Sequence, residues 1–213
     1  CRIIREPFGI HYRFFLQLVM EGTPPQKHAI GVGTMAIDPG VSTMTSYNGS
    51  KLSFKELAPD VNKYQEKVIK EQNRLSKLTR INNPECYDDK GVHIKGMRIQ
   101  YSKSMKKSKM RLRTAYRKQR VYVEQSNNNL ANEWLEVSGS VVKIETMNYK
   151  GLQKKSSKTE RQDKESVVTD KSGRKRSIHK FKRRKRFGGS IFKHAPSGFL
   201  STIKRKVTAT CGI

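Results

Sequence analysis

The chain has 213 residues, 45 of them Lys or Arg and 18 Asp or Glu, for a formal net charge of +27. Hydrophobic residues make up 34% against 30% charged, which allows a modest core and excludes a chain packed along its whole length. No apolar run is long enough to span a bilayer, the first residues lack the layout of a signal peptide, and no lipidation motif or basic amphipathic anchor points to a membrane surface.

Residues 10–20, IHYRFFLQLVM, predict a strand rich in aromatic and branched residues, followed by the loop GTPPQKH. A second apolar run, Ala29 to Asp38, is dense enough to predict a strand buried on both faces. A hairpin should follow: Thr43, Thr45 and Tyr47 favour one strand, Asn48-Gly49 the turn, and Leu52 and Phe54 alternate on the return. Asp60 then caps a helix running to about Arg80, with Val61, Tyr64, Val68, Leu75 and Leu78 at helical spacing. Residues 82–97 read as a loop, and Ser102 to about Glu136 as a second helix, cationic in its first half and apolar on one face (Leu130, Ala131, Trp134, Leu135) in its second. VVKIE, residues 141–145, is a short strand ending in an acid. Residues 151–187 are basic and polar, expected to be disordered or ordered only on a partner. A final amphipathic helix is predicted on Phe192, Phe199, Leu200 and Ile203.

A meander, a long helical crossover and a strand returning parallel to the first fit an α/β fold. In that arrangement Asp38 and Glu145 end adjacent strands. The residues leave two readings open: Asp38 makes a Pro-Gly turn and Glu145 closes a strand, or the two acids share a divalent cation.

IDPGV at 37–41 resembles the first motif of the RuvC-type RNase H fold, an Asp-x-Gly after an apolar strand. VVKIETMNYKGLQKK at 141–155 is similar to the second motif of the TnpB family, transposon-encoded RNA-guided DNA endonucleases related to compact type V CRISPR effectors. RLRTAYRKQR at 111–120 resembles the basic helix between those motifs, and KRFGGSIFKHAPSGFLSTIKRK at 185–206 the helix after the second. The resemblance covers most of residues 10–206. It implies an RNase H-like mixed sheet with a long helical crossover, and Asp38 and Glu145 as catalytic metal ligands for Mg²⁺ or Mn²⁺. It also implies Gly40 as the tight turn beside the metal and Asn148 as a supporting polar residue. The implied partners are a DNA target and a guide RNA. The implied domains are the end of an N-terminal β domain or linker (1–28), the nuclease core (29–150, with basic helix 102–136), a basic flexible segment (151–187) and the start of a following helical part (188–213). The family's site takes a third acid, an Asp beyond a Cys-rich zinc module. The chain stops at Ile213 without either and reads as a fragment, while Asp163 and Asp170 precede the last helix and are out of place for that role.

Two cationic runs are candidate nucleic-acid contacts. Lys106, Lys107, Lys109, Arg111, Arg113, Arg117, Lys118 and Arg120 share the second helix, with Tyr116 and Tyr122 interleaved and too few acids for i,i+4 pairing. Arg183, Arg184, Lys185 and Arg186 belong to the run at 174–187. The five histidines show no ligand spacing. Three scattered cysteines, Cys1, Cys86 and Cys211, argue for a reducing compartment and against a complete zinc site. The expected setting is cytoplasmic, beside a bacterial nucleoid. A rival to the nuclease is a basic DNA- or RNA-binding remnant that cuts nothing.

Overall fold

The computed structural model describes residues 1–8, 11–22, 28–89, 91–153, 160–169, 173, 175–182 and 187–211. The first two elements are β1 (Arg2–Phe8) and β2 (His11–Gln17), paired antiparallel from Arg2↔Gln17 to Phe8↔His11. The strand expected over 10–20 is thus the return arm of a ribbon. Ile3, Phe14 and Leu16 lie on its solvent-facing side, while Ile4 and Phe8 on the other are half-buried.

The central sheet contains β3 (Thr34–Pro39), β4 (Thr43–Tyr47), β5 (Leu52–Glu56) and β6 (Val141–Ile144), in the order β5-β4-β3-β6. The first three form the expected meander, and β6 pairs parallel to β3, Thr34↔Val141 through Ile37↔Ile144. The hairpin turn spans four residues, in which Asn48 Oδ1 accepts the Ser50 and Lys51 N–H groups at 3.2 and 2.8 Å.

The expectation of a strand from Ala29 buried on both faces needs correcting. Only Thr34–Pro39 is strand, and it alternates, with Met35, Ile37 and Pro39 buried and Thr34, Ala36 and Asp38 exposed. Residues 29–33 instead lace the chain to a helix end. Gly31 N–H donates to the Leu135 carbonyl at 2.8 Å, and a Cβ at Gly31 would sit 2.4 Å from the Glu136 carbonyl oxygen. Only glycine allows that approach.

Between β5 and β6 run α1 (Val61–Asn82) and α2 (Lys103–Val137), joined through a short 3₁₀ turn at Pro84–Cys86. At 35 residues, α2 is about 52 Å long. Its Ser102 cap forms as a helix start requires, with Oγ accepting Met105 N–H at 3.4 Å. Asp60 does not cap α1 with its side chain; it pairs with Lys63 at 2.8 Å, and the Tyr122 hydroxyl accepts its backbone N–H. The two helices pack antiparallel, with Tyr64 stacked on Tyr122 at 4.7 Å and Gln119 donating to Gln65 at 2.9 Å.

After β6 come α3 (Tyr149–Gln153), the strands β7 (Glu160–Thr169) and β8 (Lys175–Lys182), then α4 (Gly188–His194) and α5 (Pro196–Cys211). The segment expected to lack structure therefore carries an antiparallel pair, β7 with β8. Val167, Val168, Ile178 and Phe181 among its residues have strand propensity. The single last helix expected from the sequence is broken in two. Ala195 adopts a left-handed φ of 48°, Pro196 restarts the chain, and Phe192 is left exposed.

One core cluster joins these layers: Met35, Ile37 and Met44 from the sheet, Leu57, then Ala131, Trp134 and Leu135 of α2 and Phe199 and Ile203 of α5. Trp134 meets Phe199 edge to face at 5.6 Å. His194, one of the unassigned histidines, is buried; its Nδ1 donates to the Leu57 carbonyl, while Asn127 Nδ2 donates to the His194 carbonyl. No described helix is long and apolar enough to cross a membrane.

Candidate metal and nucleic-acid site

The alternation that buries Ile37 and Pro39 turns Asp38 outward. Ile37 pairs with Ile144, and Glu145 N–H continues the parallel ladder to the Ile37 carbonyl at 3.3 Å. Asp38 and Glu145 therefore flank each other at the C-terminal ends of neighbouring parallel strands, which lie about 4.8 Å apart in any sheet. Both are exposed and line one shallow depression with Thr45, the cross-strand partner of Asp38, and Lys143. Neither carboxylate forms an ion pair or side-chain hydrogen bond with a described residue.

The turn after Asp38 is held from both sides. Gly40 N–H donates to the Thr43 carbonyl at 2.9 Å, and a Cβ there would come within 2.7 Å of that oxygen. A steric need thus accounts for this glycine. Asn148, exposed, accepts Gly151 N–H on its Oδ1 at 2.9 Å and so caps α3. The residue it presents is Tyr149, buried, whose hydroxyl donates to the Gly40 carbonyl at 3.1 Å. Burial pushes the Tyr149 phenol above its ordinary pKa, and the negative charge of Asp38 adds to the rise. One side chain thus links the turn that follows Asp38 to the segment that follows Glu145. The sequence carries a signal for it, since Tyr149 directly follows Asn148 in the second motif, but nothing local ties it to the Gly40 turn more than a hundred residues away.

Two unpartnered carboxylates make an oxygen-only donor set suited to a hard divalent cation, which commonly takes one or two carboxylates and keeps several waters. Among the described residues, no group of three or more His, Cys, Asp or Glu could hold a metal ion.

The cations of α2 divide into two rows. Met105, Ser108, Gln119 and Val123 form the buried seam. Lys106, Lys109, Arg113, Arg117 and Arg120 recur on one flank of it, and Lys107, Arg111 and Lys118 on the other. All are exposed except Arg117, which is half-buried with its guanidinium over the Phe8 ring at 4.3 Å. The expected lack of i,i+4 pairing is corrected at one place, where Arg120 meets Glu124 at 3.4 Å. The interleaved tyrosines serve the helix pair: Tyr122 stacks on Tyr64, and Gln72 donates to the Tyr116 hydroxyl. Arg183, Arg184, Lys185 and Arg186 lie outside the described residues.

Compared with the models of known protein families and with curated proteins, the chain matches none.

Proposed function

We propose that the chain carries the first two acidic motifs of a RuvC-type nuclease core and belongs to an RNA-guided, divalent-metal-dependent DNA endonuclease of the TnpB kind. The observation that carries this reading is the parallel register of β3 and β6, which sets Asp38 beside Glu145 at the strand ends. The sheet order β5-β4-β3-β6 and the helical crossover before β6 support an RNase H-like architecture.

In this reading Asp38 and Glu145 hold Mg²⁺ or Mn²⁺. When bound, the ion supplies charge stabilisation for a phosphodiester at its oxygens. Tyr149 and Gly40 fix the turn that follows the Asp38 carboxylate. The cationic flanks of α2 draw the nucleic-acid backbone without reading sequence, which is left to base pairing with a guide.

The test is Mn²⁺ titration followed by electron paramagnetic resonance. The unaltered protein should bind, and Asp38→Ala and Glu145→Ala should each abolish binding while leaving DNA affinity in place. If Asp38→Ala leaves Mn²⁺ affinity intact, the site assignment is wrong. A second reading, a basic DNA- or RNA-binding remnant, is supported by the lack of a third metal-ligating side chain at the pair among the described residues. It predicts salt-sensitive nucleic-acid binding that neither metal nor Asp38→Ala alters.

A further inference from the structure

The ribbon and the long helix meet at one aromatic ring. The Arg13 guanidinium lies 3.5 Å from the Phe8 ring centroid, and that of Arg117 lies 4.3 Å from the same point. Phe8 and Arg13 come from the two arms of the β1–β2 ribbon and Arg117 from α2, so tertiary structure brings the third member to the other two. Each guanidinium gains from the ring face, and two like charges share one ring. No described acid forms an ion pair with either guanidinium. Glu6 is the cross-strand partner of Arg13 yet forms no ion pair with it, and Glu124 is engaged with Arg120. Arg117 Nε is buried and finds no hydrogen-bond partner among the described residues. A buried donor left unmet in this way calls for an acceptor.

We infer that Arg13 and Arg117 clamp one phosphate of a nucleic-acid backbone where the β1–β2 ribbon meets α2. Guanidinium groups present paired N–H donors that match a phosphate, and stacking on an aromatic face leaves those edge donors available. Arg113 and Arg120 continue the same flank of α2, so a bound strand would follow that row. With its ring already engaged by two guanidiniums, Phe8 contributes no base stacking, and recognition at this point is of the backbone only. The inference rests on the nucleic-acid-binding part of the proposed function and is independent of the metal pair.

Fluorescence anisotropy with labelled 20-nucleotide single-stranded DNA, single-stranded RNA of the same sequence, and duplex DNA tests it across a NaCl series. Arg13→Gln, Arg117→Gln and the double variant should each weaken binding about 10-fold or more. The salt slope should flatten by about 0.7–0.9. Because both groups grip one phosphate, the double variant should flatten it no further than either single one. Arg13→Lys, with charge kept and the fork removed, should restore the slope but not the affinity. A larger loss on RNA assigns the clamp to a guide strand, and a larger loss on DNA assigns it to a target. Unchanged affinity and slope in the double variant overturn the clamp, as does a double slope change that sums the two singles. Arg13 sits on an exposed ribbon, so its variant remains informative if substitution of half-buried Arg117 disturbs folding. If the unaltered protein binds none of the three, the nucleic-acid reading itself falls, and the clamp with it.

Discussion

The two halves of α2 are parts of one continuous helix with opposite surroundings. The N-terminal half packs one seam against α1 and leaves cations exposed on both flanks of that seam. The C-terminal half lies against the sheet and α5, where Ala131, Trp134 and Leu135 are buried beside Met35, Ile37 and Phe199. A helix with one neighbour spends only a narrow stripe on packing, and the remaining positions are available to a ligand. A helix between two neighbours has few positions left. Charge density along α2 therefore follows how much of its circumference the fold consumes.

Substitutions in the two halves should therefore separate stability from binding. The largest stability loss is expected from Phe199→Ala, since this fully buried ring fills the space beside Trp134. Urea unfolding should show a loss of about 3–5 kcal/mol. A loss under about 1 kcal/mol would mean that the C-terminal half of α2 does not depend on α5, and the contrast would fail.

A smaller effect is expected at the acid pair. Tyr149→Phe removes the hydroxyl that reaches the Gly40 carbonyl, at a cost of about 0.5–1.5 kcal/mol. It should also weaken Mn²⁺ binding severalfold by loosening the turn that follows Asp38, an effect that a purely structural role would not produce. The pH dependence has a definite sign. The folded protein holds the Tyr149 proton more tightly than the unfolded chain does, because its pKa is raised from an ordinary value of 10.0. Stability is unaffected by this group below pH 10.0 and falls as pH rises from there through the folded-state pKa. Phenylalanine should remove that part of the alkaline loss, measurable by unfolding at stepped pH.

The smallest stability change is expected in the cationic half. Lys107→Gln, Arg111→Gln and Lys118→Gln together replace three exposed side chains on one flank. Unfolding should shift by no more than about 0.5 kcal/mol per site, while oligonucleotide affinity drops and its salt slope flattens. A large stability loss with unchanged binding would reverse the assignment of that flank.

Much of this was legible from local pattern. The meander, the extents of α1 and α2, the Ser102 start and the acid ending each of two apolar strands follow from periodicity and turn chemistry. Other features were not legible because their causes are distant in sequence. Asp60 sits where a cap belongs, yet its side chain turns to Lys63 while Tyr122 takes its backbone N–H. Gly31 looked like part of a strand until the end of α2 was brought against it. Phe192 kept helical spacing with Phe199, but the left-handed Ala195 breaks the helix between them and turns Phe192 to solvent.

A strongly basic α/β chain, a long helix charged at one end and apolar at the other, and two acids placed to end strands all follow from the amino-acid order. These depend on near neighbours: side-chain period, turn residues and charge density. That the last strand returns beside the first is an expectation from element order, and the folded chain supplies the residue register, Ile37 with Ile144, that sets Asp38 against Glu145. Only the tertiary structure decided that Tyr149 braces the Gly40 turn and that Arg117 joins Arg13 at Phe8. Each of these contacts joins residues that chain order separates, and packing of the whole brings them into range.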